Sequence, residues 1–165
     1  MPTMRLGILS DTHDQLDRTL AAVEILRIAG AEALVHCGDF TETPIVAACA
    51  SLPLYFVFGN NDGDMAPYLR QAAVDAGATC LGWSGTFELG GKRIGVAHGH
   101  LTTDLRRVLN DQPDYLLSGH SHLPHDLREG ALRRINPGAL YRAREFSVAL
   151  LDLESDDLRF IPVPR

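Results

Sequence analysis

Leu9-Ser10-Asp11-Thr12-His13-Asp14 sets a carboxylate and an imidazole two residues apart at the point where an apolar run gives way to helical spacing. The preceding Met4-Arg5-Leu6-Gly7-Ile8-Leu9 is short and largely apolar and reads as a buried strand. Asp11 and His13 therefore lie in a strand-to-helix loop, the carboxyl edge at which open α/β sheets bind ligands. A Ser-Asp-Thr loop before a helix also suits capping chemistry, so the remainder of the chain has to decide between the two readings.

Downstream the pattern recurs. Leu16, Leu20, Val23, Leu26 and Ala29 repeat at helical spacing and predict a helix with this stripe in the core, stopped by Gly30. Ala33-Leu34-Val35-His36-Cys37 reads as a second buried strand and ends in Gly38-Asp39. A helix is expected over residues 44–51, after which Leu54-Tyr55-Phe56-Val57-Phe58 runs into Gly59-Asn60-Asn61-Asp62-Gly63. Strand and helix alternation implies parallel pairing through right-handed crossovers, so these loops should meet on one side of the sheet.

After a helix over residues 65–76 the character changes to hairpins. Gly90-Gly91 joins Thr86-Phe87-Glu88-Leu89 to a strand that ends at His98-Gly99-His100. A helix over residues 103–110 precedes Asp114-Tyr115-Leu116-Leu117, which ends in Ser118-Gly119-His120-Ser121-His122. Further hairpins turn at Glu129-Gly130 and near Ser155-Asp156-Asp157. An α/β first half followed by an antiparallel-rich second half suits two sheets packed face to face with helices outside.

Collected from the strand ends, the polar set is Asp11, His13, Asp39, Asn60, His98, His120 and His122. Imidazole nitrogens with carboxylate and amide oxygens suit borderline divalent ions, and this set is too large for one mononuclear site. Two ions sharing a carboxylate is the economical arrangement, with Asp39, central in the strand order, as the bridge. Paired ions lower the pKa of a water and neutralise both sides of an in-line displacement at phosphorus, which implies phosphoester hydrolysis by metal-activated water. His36, within its strand, reads as a core or supporting residue and His125 as solvent-facing. Cys37 reads as strand packing, and Arg106, Arg107, Arg142 and Arg144 as solvated, with contact to a substrate phosphate as their alternative role. Trp83 suits a cleft, an interface or the core equally well.

The blocks Asp11-x-His13, Gly38-Asp39, Gly59-Asn60-Asn61-Asp62, His98-Gly99-His100 and Gly119-His120-Ser121-His122 resemble the ordered signature of the calcineurin-like metallophosphoesterases. Asn136-Pro137-Gly138 is similar to a turn of the small prokaryotic phosphodiesterase branch. The resemblance implies a four-layer α/β/β/α sandwich of two mixed sheets with helices outside. It also implies Asp11, His13, Asp39 and His122 around one ion, with Asp39, Asn60, His98 and His120 around the other. Many relatives carry His at the position of Asn61, where it is thought to contact substrate and protonate the leaving oxygen. Asn cannot titrate, although its amide can still donate to phosphate, and the small phosphodiesterase branch is similar in having a residue other than His here, which favours that branch over the serine/threonine protein phosphatases. Substrate contacts are thus expected from Asn60, Asn61 and His100, with orientation of His98 or Asp39 as the other role for His100.

The 165 residues, 45% hydrophobic and 22% charged, fit one soluble domain spanning 1–165. A net charge of −6 opposes binding to a nucleic-acid polymer, and no apolar run is long enough for a membrane span. Three cysteines without paired spacing fit the reducing cytoplasm. The expected cofactors are two divalent ions, Mn²⁺ first with Fe, Zn or Ni as alternatives. The expected partners are a small phosphoester and, by similarity to related small enzymes, a second copy in a homodimer. Phosphodiesterase activity is the leading expectation. A phosphomonoesterase and a catalytically silent scaffold like the retromer subunit of this fold are the alternatives.

Overall fold

The computed structural model describes residues 3–165, so residues 1 and 2 of the expected 1–165 domain lie outside the described residues. The first sheet is seeded by β1 (Arg5–Leu9), β2 (Ala33–His36), β3 (Leu54–Phe56) and a short β4 (Thr79–Cys80), paired in parallel. Between them run α1 (Leu16–Ile28), α2 (Pro44–Cys49) and α3 (Ala66–Ala76), the last closed by Gly77 in the left-handed region at φ 71°. The second sheet contains β5 (Ser84–Leu89), β6 (Lys92–Ala97), β7 (Tyr115–Leu117), β8 (His125–Glu129) and β9 (Leu132–Asn136), with α4 (Thr102–Asn110) between β6 and β7. The chain then returns to the first sheet, where β10 (Phe146–Asp152) pairs antiparallel with β1 and β11 (Leu158–Val163) closes the edge.

The period-2 alternation of strand side chains makes the layers. Leu6, Ile8, Ala33, Val35, Ala149 and Leu151 point inward to meet Ile94, Val96, Leu117 and Ile135 of the other sheet. Their neighbours Leu9, Leu34, Val148 and Leu150 point outward beneath Val23, Leu26, Ile45 and Leu69 of the first three helices. On the far side Ala97 and Leu116 pack against Val108 of α4. The result is the expected α/β/β/α sandwich of two mixed sheets.

Local expectations need correction in three places. Leu16 and Leu20 are 38% and 48% exposed, because α1 turns Thr19, Ala22, Val23 and Leu26 to the sheet and leaves those leucines on its flank. The second half is less antiparallel than its hairpins imply, since β6–β7 and β7–β9 are parallel pairs. Lastly, β4 was not expected at all; it is only Thr79–Cys80, too short to carry periodicity. Among the described residues no helix is long and apolar enough to cross a membrane.

Candidate metal centre

All the candidate ligands hang from loops at the carboxyl ends of parallel strands. Asp11 and His13 follow β1, Asp39 follows β2, Asn60 follows β3, His98 follows β6, and His120 and His122 follow β7. Backbone bonds sew these loops together: Asp11 N–H donates to Gly38 O, His13 N–H to Asp39 O, and Gly119 N–H to His98 O, each at 3.0–3.1 Å. Asp11, His13, Asp39, His120 and His122 all have positive φ, between 41° and 71°. Asp and His tolerate that region better than most residues, and a cluster of such conformations marks a site the surrounding fold over-determines.

Close approach explains the glycines of the motifs. A Cβ at Gly59 would collide with the carboxylate of Asp39, and one at Gly119 with Ser10 Oγ and the carboxylate of Asp11. No side chain can therefore stand at either position without displacing a candidate ligand.

The structure brings Asp11, His13, Asp39, His98 and His122 into one cluster. Two overlapping groups, Asp11–His13–His122 and Asp11–Asp39–His98, each hold ligand atoms within 4.8 Å of one another. Asp39 Oδ2 lies 3.2 Å from His13 Nε2 and 3.4 Å from His98 Nε2. Asp11 Oδ1 lies 3.2 Å from His122 Nε2. Asn60 and His120 stand at the exposed rim, joined by a 3.1 Å contact between His120 Nδ1 and Asn60 Oδ1, with the His120 ring 5.2 Å from that of His98.

Outer contacts aim the rings. His98 Nδ1 donates to Cys37 O at 2.8 Å and His122 Nδ1 to Arg142 O at 3.3 Å, which leaves each Nε2 lone pair facing the carboxylates. Asp11 Oδ1, His13 Nε2 and His98 Nε2 are buried with no hydrogen-bond partner, a costly state for polar atoms unless a cation satisfies them. The donor set and its orphaned atoms thus fit divalent metal. Burial pushes the Asp39 carboxyl up, but the His13 and His98 imidazoles beside it overcome this and hold it far below the carboxylate range. Burial pulls His13 down, yet the Asp11 and Asp39 carboxylates beside it raise it to about 9 in the metal-free protein.

His36 has the supporting role expected of it. Gly38 N–H donates to its Nδ1 at 3.1 Å, its Nε2 lies 3.0 Å from Thr12 Oγ1, and it stacks on Phe40 at 3.7 Å. Asn61 is exposed, and its side-chain amide donates to Asp39 Oδ2 at 2.8 Å. His100 packs its ring 5.4 Å from His98 and 6.1 Å from His120, with Nδ1 buried and unpartnered and no hydrogen bond to either residue it was expected to orient. Trp83 packs edge-on to Phe58 at 5.3 Å, against the core, and stands 6.2 Å from His100. His125, Arg106, Arg107, Arg142 and Arg144 are exposed, and Cys37 is buried with its thiol pushed well up by burial.

Three contributors were not anticipated as such. Asp62 is fully buried and accepts the backbone N–H groups of Asp39, Gly59 and Thr41 at 2.8–2.9 Å, locking the second and third ligand loops together. Asn136 donates to Gly119 O at 2.9 Å and Ser121 Oγ at 3.1 Å, which steadies the loop bearing His120 and His122. Tyr141 stacks on His13 at 4.5 Å. The Asp62 of the Asn-Asn-Asp-Gly run and the Asn of Asn136-Pro137-Gly138 were visible as motif members, but only the fold shows what they hold.

A two-sheet sandwich with a cluster of Asp, His and Asn at one edge defines the metallophosphoesterase class. Residues 4–156 match the model of the calcineurin-like phosphoesterase superfamily domain, and the chain belongs to that superfamily of phosphoric ester hydrolases, which work with divalent metal ions. Phosphodiesterase MJ0936 of Methanocaldococcus jannaschii is 27% identical over 96% of this chain and 98% of its own. The solved structure of an archaeal phosphodiesterase superposes with a TM-score of 0.85 at 27% identity, covering 97% of this chain and 100% of that one. A Vps29 variant from Entamoeba histolytica shares the fold, with a TM-score of 0.64 at 16% identity over 98% of this chain and 100% of its own.

Proposed function

We propose that this chain is a dinuclear-metal-dependent phosphodiesterase acting on small organic phosphate diesters. The observation that carries the reading is the trio of buried, unpartnered atoms Asp11 Oδ1, His13 Nε2 and His98 Nε2, which converge with Asp39 where a cation would satisfy them. Asp11, His13, Asp39 and His122 would hold one ion, and Asp39, Asn60, His98 and His120 the other, with Mn²⁺ the first candidate. Bound metal supplies a water of lowered pKa and charge to offset that on phosphorus.

The chain's own residues do the rest. Cys37 O and Arg142 O hold the His98 and His122 tautomers, Gly59 and Gly119 leave room for the carboxylates, and Asn60 and His120 form the exposed rim that a phosphate meets first. Asn61 offers no titrating proton for a leaving oxygen, which favours diesters and activated esters over alkyl monoesters. His100, close to His98 and His120, is the remaining candidate for substrate contact. The free thiols of Cys37, Cys49 and Cys80 suit the cytoplasm. A homodimer remains part of this reading.

The test is metal analysis followed by turnover. Two Mn²⁺ per chain and faster hydrolysis of bis(4-nitrophenyl) phosphate than of 4-nitrophenyl phosphate are expected. A single ion per chain removes the dinuclear reading, and a preference for the monoester makes the protein a phosphomonoesterase. A fully metallated protein that turns over neither ester is the silent scaffold, which the Vps29 likeness supports only through its fold.

A further inference from the structure

Beside the metal centre lies a cleft of about 430 Å³, within the size range of small-molecule sites. His122 lines it, and its Nε2 stands 3.2 Å from Asp11 Oδ1, so a single imidazole borders both the ligand cluster and the cleft. Leu123 and Pro124 continue that wall, while Phe146, Phe160 and Pro162 contribute from β10 and β11. Leu123 is 67% exposed and Phe160 40%, which makes them large apolar side chains held open to solvent next to a catalytic edge. Single exposed leucines are ordinary, but a concave apolar surface sharing a wall with a polar centre is the usual form of a ligand site.

The cleft is preformed on its inner side. Phe146 is only 5% exposed, with the guanidinium of Arg18 at 3.9 Å and that of Arg165 at 4.5 Å from its ring. The inner wall offers little hydrogen bonding, because the Ser147 hydroxyl is already donated to Pro137 O at 2.7 Å; the polar side chains, Arg144 and Glu145, are exposed. Arg144 and Glu145 add opposite charges and no net charge.

We propose that this cleft takes the uncharged aromatic or bulky apolar substituent of a phosphate ester whose phosphoryl group sits at the metal centre, and so sets substrate class. The proposal rests on the phosphoesterase reading above and adds that the alcohol portion is apolar instead of a sugar or polyol, whose hydroxyls would lie against the Leu123, Pro124, Phe146, Phe160 and Pro162 walls, away from the exposed Arg144 and Glu145. An unpaired hydroxyl buried against these walls is disfavoured by the hydrogen bonds it gives up to water.

The probes are 1-naphthylphosphonate and methylphosphonate, which share a head group on a carbon–phosphorus bond that this chemistry does not cleave. Calorimetry on the Mn²⁺-loaded protein should find the naphthyl compound at least about 10-fold tighter, since even one methylene in an apolar pocket changes discrimination by that order. Phe160→Ala and Leu123→Ala, both truncations of solvent-open side chains, should each collapse the naphthyl-to-methyl ratio toward one. Val74→Ala, an exposed residue of α3 that lines no part of the cleft, should leave the ratio alone.

Equal affinities in the unaltered protein, or a ratio that survives both truncations, overturns the proposal. The same holds if the truncations convert a dimer to monomer in sedimentation while the ratio stays put, because the cleft is then a face between copies. Turnover of bis(4-nitrophenyl) phosphate tells the two failures apart. Turnover with a ratio of one removes only the cleft assignment, whereas loss of turnover together with loss of both phosphonates removes the phosphoesterase reading as well.

Discussion

Asn61 grips Asp39 with both of its donors, the side-chain amide reaching Oδ2 at 2.8 Å and the backbone N–H reaching Oδ1 at 2.9 Å. Asn61 therefore fixes the orientation of the carboxylate set between His13 and His98. Losing an outer-sphere partner of this kind typically costs 10–100-fold in metal affinity. Asn61→Ala should weaken Mn²⁺ binding by roughly that range, and Asn61→Asp should weaken it further by setting a second carboxylate against the first. Titration with a metal-competing indicator measures both, and affinities equal to that of the unaltered protein would remove Asn61 from the support of Asp39.

Asp62 should matter more to folding than to chemistry. Its two oxygens accept the N–H groups of Asp39, Gly59 and Thr41, and burial raises its carboxyl above the usual range while those bonds oppose the shift. Each orphaned buried donor costs about 1–3 kcal/mol, so Asp62→Ala should destabilise the metal-free protein by on the order of 3 kcal/mol or more. Asp62→Asn, which keeps one acceptor oxygen, should fall between. Urea unfolding in chelator reads the difference, and an Asp62→Ala midpoint within error of the parent would deny the clamp.

These two residues show where the sequence is legible. Asp11, His13, Asp39, His98 and His122 could be read because each closely follows an apolar strand, and parallel topology delivers all such ends to one edge. Asp62 looks like any loop aspartate until Asp39, Gly59 and Thr41 are seen to converge on it. The ring of Tyr141 reaches His13 only through the return of the chain into β10, a relation no local pattern encodes. The stripe through Leu16 and Leu20 overlaps the one through Thr19 and Ala22, and tertiary packing chose between them. Hairpin signals name the partner across a turn but not the parallel neighbour, so the pairing of β7 with β9 stayed hidden.

Metal binding should release protons. The neighbouring Asp11 and Asp39 carboxylates outweigh burial and raise His13 to about 9, so the metal-free protein holds a proton on this ring at neutral pH. A ligand must shed that proton before it can bind. Apparent Mn²⁺ affinity should consequently climb with pH until it passes about 9 and then level off as far as His13 is concerned. Calorimetry at pH 7 in buffers of different ionisation enthalpy should detect the released protons, and His13→Ala should release fewer. Buffer-independent heats would mean that His13 is already neutral.

His36 predicts a pH dependence of opposite origin. Burial lowers its pKa from 6.5 to about 3, and its Nδ1 is occupied as the acceptor of Gly38 N–H. Between those two values the unfolded chain binds a proton that the folded chain refuses, so stability must rise with pH across the window and fall as pH drops through it. The His13 contribution has the reverse sign: its raised pKa adds stability that is complete below 6.5 and is lost as pH rises toward about 9, leaving the two windows separate. Replacing the titrating ring by His36→Gln should thus give a metal-free protein whose stability declines less steeply from pH 6.5 toward 4 than that of the parent. Urea unfolding in chelator at intervals across this range isolates the term, because the carboxylates common to both proteins cancel in the difference. Parallel stability curves would show that His36 accepts a proton in the folded state at its ordinary pKa, and the Gly38 contact could then not be what fixes its tautomer.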